Sequence, residues 1–302
     1  MAADPDLVFD RDFTAPYGVA MPLSALVTRV LAANPGPFTF RGTGTYLVGP
    51  RNGAVAVIDP GPGLPDHLAA LERAIGARPV SHILVTHSHR DHCEAAAALK
   101  AWSGAQTFAL SGALAGALAG APGENPVGAP VEEAHDHAFV PDHLLEDGQA
   151  IAADGFTLTC VATPGHTAGH ACFALEEEGA LFSGDHVMGW STSVIAPPDG
   201  SIGAYLQSLE RLIARDDIIL YPTHGGPIRA PRTFLRALLA HRRRREAEVL
   251  EAWQSGLRHA DAIAGRLYPH IAPGLRAAAA VQVLAHLEHL AQQGMIALDQ
   301  AR

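Results

Sequence analysis

Apolar positions along the chain change their period several times, and each change marks an element. Residues 23–31 alternate loosely and read as a strand, which Asn34-Pro35-Gly36-Pro37 breaks. Residues 43–48 and 54–58 read as two more strands, with Arg51-Asn52-Gly53 as the hairpin turn between them. Asp59-Pro60-Gly61 then turns the chain. From Leu64 the period lengthens: Pro65–Ile75 carries His67, Leu71 and Ile75 at helical spacing. A strand at 82–85, a helix at 93–101 and a strand at 107–110 follow. Residues 111–130 are rich in Ala, Gly and Pro and read as an insertion, mobile or helical. Strands resume at 156–161, 171–175, 180–182 and 218–221. The texture then changes to three helices, 233–252, 259–267 and 276–293, the last with Val281, Leu284, Leu287 and Leu290 on one side. Residues 294–298 read as a helix stop and a short strand. Three helices and a strand suggest a winged-helix module, so the chain divides into residues 1–232 and 233–302.

Composition narrows this little. Hydrophobic residues make up 48% and charged residues 17% of the 302, as in an ordinary soluble globular protein. The net charge of −10 argues against a general affinity for nucleic acid or an anionic membrane. Cys93, Cys160 and Cys172 are odd in number and form no CxxC, which implies no disulfide framework and a reducing compartment. The acidic start, Met1 to Asp6, lacks a charged-then-apolar leader, so a cytoplasmic location is expected. Residues 101–123 carry no charge, but they are mostly Ala, Gly, Ser, Thr and Gln and contain Pro122, so a membrane span is not expected.

The chemistry concentrates in Thr86-His87-Ser88-His89-Arg90-Asp91-His92. An apolar run, Ile83-Leu84-Val85, precedes it and a strong helix former follows, so the ligands leave the carboxyl end of a strand. His87 and His89, two apart, point to one side, while Asp91 and His92 can face a second point. The motif can therefore feed two metal ions. Asp59, at another strand end, is a candidate to orient a metal-bound His, or is a plain turn aspartate. Three more strand ends carry His166 in Pro-Gly-His-Thr, Asp185 in Ser-Gly-Asp-His and His224 in Pro-Thr-His-Gly-Gly. His135-Asp136-His137 has no flanking strand and reads as a solvated loop.

HxHxDH, PGHT, SGDH and PTHGG, in this order over roughly residues 20–230, resemble the metallo-β-lactamase fold superfamily. The resemblance implies an α+β, four-layer αβ/βα sandwich followed by the small helical domain. It implies His87, His89 and His166 on one metal, Asp91, His92 and His224 on the other, and Asp185 bridging them. His170 and His186 are left as supporting or structural residues. Ala240-His241-Arg242 and Asp185-His186-Val187-Met188-Gly189 are similar to the β-lactamase-like protein 2 subfamily, whose animal members are associated with single-stranded RNA cleavage. Two divalent ions, Zn²⁺ foremost with Fe or Mn as alternatives, would leave a locally positive pocket. Metal-bound hydroxide would then attack, with Asp91 orienting it or relaying its proton.

The substrate is less defined. A bridging-cysteine β-lactamase would have Cys in place of Asp185, and the Gly- and Arg-rich stretch usual in glyoxalase II is absent. Residues 187–194 are uncharged and partly apolar, favouring an ester, thioester, lactone or amide-type small molecule with an apolar portion. Trp190 and Tyr205 are candidate pocket residues, or ordinary packed aromatics. The alternatives are a metal-dependent endoribonuclease or phosphodiesterase using the tail to hold RNA, and β-lactam hydrolysis as a minor activity. Arg242-Arg243-Arg244-Arg245 could contact phosphate, but it reads better as a solvated helix face balancing Glu246, Glu248 and Glu251. The expected partner is thus a small molecule rather than nucleic acid or membrane, with a homo-oligomer left open.

Overall fold

Successive residues of a strand face opposite sides, so a strand covered on both sides must be apolar throughout. That is largely the condition of the central strands of both sheets in the computed structural model, which describes residues 6–111 and 134–298. The first sheet runs in chain order: β1 (Ala20–Pro22), β2 (Val27–Leu31), β3 (Gly44–Val48), β4 (Val55–Ile58), β5 (Val80–Val85), β6 (Gln106–Leu110) and β7 (His143–Leu145). Its pairings are antiparallel as far as β4 and parallel from β4 to β7. The second holds β8 (Ala150–Ala153), β9 (Phe156–Ala162), β10 (Ala171–Leu175), β11 (Ala180–Gly184) and β12 (Ile219–Pro222), in the order β12-β11-β10-β9-β8. Only β11 and β12 are parallel there.

Strand β3 shows how the layers form. Tyr46 and Val48 face the second sheet, where Phe173 and Phe182 meet them, and Leu47 faces the opposite way. Leu47 packs with helices α1 (Pro65–Ile75) and α3 (Ala96–Ser103), through Leu71, Ile75 and Leu99. The outer face of the second sheet is covered by α4 (Ile202–Ile213) and the first half of α5 (Pro231–Gln254). The result is helix, sheet, sheet, helix: the four-layer sandwich expected. Each fully buried Leu, Ile or Phe contributes about 1.5–3 kcal/mol by leaving water. Beyond this core, Val249 and Ala252 of α5 join α6 (Ala260–Leu267) and α7 (Arg276–Gln292) in a separate apolar cluster. The long helix α5 therefore serves both cores.

Two expectations change. The helix expected at 93–101 is two: α2 (Arg90–Cys93), then α3. Gly61 separates them, its N–H donating to the carbonyl of His92 and its carbonyl accepting from the N–H of Ala95. Only glycine fits, because φ is +92° and a Cβ would stand 2.7 Å from His67 Nε2. Asp91 and His92 thus lie on a helical turn, not ahead of one. The strand expected within 294–298 is absent among the described residues. Gly294 instead closes α7 in the left-handed region, and Met295 N–H donates to the Leu290 carbonyl. The insertion expected at 111–130 lies, from residue 112, outside the described residues, as does most of the uncharged stretch 101–123. Among the described residues, no helix is long and apolar enough to cross a membrane.

Candidate metal centre

The ends of β4, β5, β9, β11 and β12 gather on one edge of the sandwich and deliver Asp59, His87, His166, Asp185 and His224, respectively, just beyond each strand. The close approach is built into the chain at Gly184: its φ is +51°, and a Cβ would lie 2.5 Å from His170 Nε2. Two groups of donors result. His87 Nε2 lies 2.9 Å from His89 Nδ1, which lies 3.3 Å from His166 Nε2. Asp91 Oδ2 lies 3.5 Å from His92 Nε2 and 3.1 Å from His224 Nε2. Asp185 touches the second group through both oxygens, Oδ2 at 3.5 Å from His92 Nε2 and Oδ1 at 3.4 Å from His224 Nε2. It also forms a donor group with His87 and His92, which joins the two clusters. All seven residues expected from sequence are thereby brought together.

The Nδ1 atoms of His87, His92, His166 and His224 are held, which leaves Nε2 of each as an acceptor, whereas His89 turns Nδ1 to the cluster and its buried Nε2 has no partner. His166 Nδ1 donates to the Val194 carbonyl (2.7 Å), and His224 Nδ1 to that of Gly42 (3.2 Å). His92 Nδ1 donates to Asp59 Oδ2 at 2.8 Å. Thr86 Oγ1 gives its proton to Asp59 (2.9 Å), so towards His87 Nδ1 at 3.1 Å it can only accept. Thr223 Oγ1 donates to the same carboxylate, and Thr86 N–H to its other oxygen. Asp59 is thus no plain turn residue: fully buried, it accepts four hydrogen bonds.

The electrostatics divide the cluster. Burial first, then the neighbouring imidazoles, push His87 and His89 well below the usual histidine range. Burial also works against charging His92 and His224, yet the carboxylates around them prevail: His92 is raised well above its ordinary value and His224 to about 10. The carboxylates that hold those protons would equally hold a cation, which displaces protons as it binds. His92 Nε2 and Asp185 Oδ1 are buried and have no hydrogen-bond partner. The donor separations also suit an ion: bonds of about 2.0–2.1 Å in a tetrahedral site place donors about 3.4 Å apart. The residues present therefore fit a pair of divalent ions.

Around the cluster lies a cavity of about 220 Å³. Trp190 lines it, its ring stacked on Phe40 with centroids 4.7 Å apart. Tyr205 does not line it. It is fully buried on α4, its hydroxyl donating to the His186 carbonyl at 2.9 Å, because the helix turns it into the core. Arg242 does not join the solvated face expected of its run. Only 2% exposed, it stacks over the Tyr205 ring at 5.0 Å and donates to the Ser193 carbonyl. Arg245 does pair with Glu248, and Arg243 with Glu210. His135 is not a detached loop residue either. It bridges to His89 in backbone, packs against its ring at 4.6 Å and bonds Ser88 Oγ at 2.9 Å. His170 supports the cluster, its Nε2 accepting from Asp185 N–H at 3.2 Å, and His186 is buried against Tyr205. Sequence reading missed Thr86, Thr223 and Ser193. The repeated Thr-His pair on two ligand-bearing turns was the signal for the first two.

Residues 39–224 match the family described as metallo-beta-lactamase superfamily, and residues 260–301 the beta-lactamase associated winged helix domain. The chain is 34% identical over 233 residues to lactamase-like protein nscB of Neosartorya fischeri, covering 76% of this chain and 62% of that protein. It is 31% identical to beta-lactamase-like protein 2 homolog of Caenorhabditis elegans, over 76% of this chain and 71% of the other. It is 33% identical to atrochrysone carboxyl ACP thioesterase AgnL7 of Paecilomyces divaricatus, over 76% and 65%. The chain thus spans less than two thirds of the length of the first and third of these relatives. In fold it is similar to a beta-lactamase domain protein from Burkholderia ambifaria, with a TM-score of 0.78 at 23% identity, covering 94% of this chain and 91% of that one.

Proposed function

We propose that this chain, which belongs to the metallo-β-lactamase superfamily, is a metal-dependent hydrolase of acyl thioesters or esters with an apolar acyl part. The observation that carries the reading is the opening of the His and Asp cluster into a cavity with largely apolar walls. The thioesterase named among its relatives, at 33% identity, supports the same substrate class. His87, His89 and His166 would hold one ion and Asp91, His92 and His224 a second, with Asp185 facing both. Near-tetrahedral donor spacing and histidine-rich ligation favour zinc, while the donor set also admits iron or manganese. Bound there, two such ions would polarise the substrate carbonyl and make hydroxide available at neutral pH.

The protein's own groups do the rest. Asp91 borders the cavity. Burial opposes its charge, but His92 and His224 hold it as a carboxylate, able to orient the attacking water and receive its proton. Asp59 fixes the His92 ring, and the Val194 carbonyl fixes that of His166, so the donor geometry exists before substrate arrives. Phe38, Met188 and Trp190 line the cavity and would keep water from the acyl part.

The test is a hydrolysis panel on zinc-loaded protein: thioesters, esters, lactones, β-lactams, phosphodiesters and single-stranded RNA. Thioesters or esters should lead the others by about tenfold or more in kcat/KM. Chelation should abolish turnover and zinc restore it. Asp185→Ala should lose activity and bind clearly less than the about two equivalents of zinc held by the parent. A lead for phosphodiesters or RNA would overturn the substrate reading, and full activity in Asp185→Ala would overturn the site.

A further inference from the structure

Four of the histidines in the two donor groups have the ring nitrogen remote from the cluster held by a hydrogen bond. Thr86 serves His87, Asp59 serves His92, and the carbonyls of Val194 and Gly42 serve His166 and His224. His89 is the exception. Its Nδ1 faces the cluster, 2.9 Å from His87 Nε2, and its Nε2 is buried without a hydrogen-bond partner. Metal-binding histidines almost always have such a partner, which fixes the orientation of the ring. The His89 ring must be set by other contacts.

Those contacts come from residues 134–136. The N–H of Arg90 donates to the Ala134 carbonyl at 3.0 Å, and the N–H of Asp136 to the Ser88 carbonyl at 2.7 Å. These bonds flank His89 and His135, which face each other in an antiparallel bridge. The facing residues exchange no bond of their own, and in that type of pair the side chains share one side and approach most closely. The two rings accordingly meet, with centroids 4.6 Å apart and 55° between their planes. The His135 ring is itself fixed. Its Nδ1 bonds Ser88 Oγ at 2.9 Å, and its Nε2 stands 3.4 Å from Asp199 Oδ2. The other oxygen of Asp199 accepts from the N–H of Ala168 at 3.1 Å, in the turn that carries His166. The His89 ring also meets those of His87 and His166, with which it shares a donor group.

We infer that His135 is a positioning residue for the metal centre. Its ring holds the His89 imidazole with Nδ1 turned to the cluster, the task that a hydrogen bond performs for the other four. This rests on the metal-centre reading above and adds a residue to it. His135 acts through His89 and is not one of the seven donors. Without it, the His89 ring would sample orientations that turn Nδ1 away. Only the ion held by His87, His89 and His166 would then be weakened.

The experiment titrates zinc against a chromogenic chelator in two backgrounds, each of which keeps one site. His224→Ala leaves the first site and His166→Ala the second. Adding His135→Ala should lower zinc affinity about 10- to 100-fold in the first background and less than about twofold in the second. Adding His135→Phe, which keeps a flat ring against His89, should stay within about threefold of the first background alone. A general loosening of the fold would weaken both sites, so the difference between them is the readout. Metal-free protein gives a second measurement. Imidazole NMR signals of His89 should be sharp in wild type and in His135→Phe, and should broaden or split in His135→Ala, while those of His224 stay unchanged. If wild type holds no zinc, the metal reading fails and the metal-free spectra still test His135. Unchanged affinity in His135→Ala, equal loss at both sites, or unchanged His89 signals would each overturn the inference. A His135→Phe variant that behaves like His135→Ala would overturn it too, by showing that ring packing is not what holds His89.

Discussion

Asp59 illustrates how much of a site one carboxylate can set. It sits at φ +49°, a region costly for a residue with a Cβ, and is held there by four donors. Asp59→Asn would place an amide N–H where these donors converge, and metal affinity should fall about 10- to 100-fold in chelator competition. Cys93 raises the opposite question, because it adjoins His92. Burial first, then Asp136 and Asp59, raise its thiol far above the ordinary range, and its Sγ lies 3.5 Å from the Ser88 carbonyl. A buried, protonated thiol is a poor nucleophile, so Cys93→Ser should keep most activity, and mass spectrometry should find no acylated cysteine during turnover. His67 supplies a pH dependence clear of the metal ligands. Burial lowers it from 6.5 to about 4 despite a hydrogen bond to the Pro60 backbone carbonyl. Below pH 6.5 the unfolded chain takes up this proton before the folded one, so stability falls as pH drops towards 4. The loss amounts to roughly 3 kcal/mol once both forms are protonated. Denaturant titrations of wild type and His67→Gln should differ in their drop between pH 7 and 4 by that order, and equal drops would refute the assignment. At this scale the histidines and aspartates were legible because few residue types bind metal. Ser193 was not, since hydroxyls are common and only the fold brings it to the His186 carbonyl, and for Thr86 and Thr223 the repeated Thr-His pair was the one sign of their place beside Asp59.

Among elements, legibility followed burial. Both faces of β3, β10 and β11 are buried, and their apolar runs announced them. Strand β1 is exposed along its length and pairs only at the sheet edge, so no pattern marked it. The break between α2 and α3 was hidden because Gly61, which causes it, lies about thirty positions away in the chain. The loop after β11 shows the same dependence on distant residues. Ser193 Oγ donates to the carbonyls of Asp185 and His186, Arg242 donates to that of Ser193, and Val194 accepts from His166. One loop therefore ties a buried arginine on α5 to two of the seven donors and to Trp190. Arg242→Met keeps much of the volume but removes the bond to Ser193. It should raise KM several-fold more than it lowers kcat, and cost about 1.5–3 kcal/mol in stability. Arg244→Gln, on the exposed side of α5, should change neither. An unchanged KM in Arg242→Met would show that the loop holds without it.

For the whole molecule, the two domains are one working unit because α5 lies in both cores and α7 lines the cavity. That arrangement bears on what the tail is for. A winged-helix module elsewhere is a reader of nucleic acid, and the run from Arg242 to Arg245 invites that role. The arginines are largely spent within the chain, however. Arg242 is buried, Arg243 pairs with Glu210 and Arg245 with Glu248. The exposed α7 start adds Arg276 alone as a fixed positive charge, and the net charge is −10. Binding to phosphate backbones draws its strength from cations free to displace counterions, and falls steeply with salt. Single-stranded RNA should therefore bind no tighter than about 10 µM at physiological ionic strength, within the non-specific range. Substituting Gln for Arg243, Arg244 and Arg245 together should leave that value within about twofold, as measured by fluorescence anisotropy. Sub-micromolar binding that disappears in the triple variant would show instead that the helix face is a phosphate site, and that the domain closing the cavity also presents RNA to it.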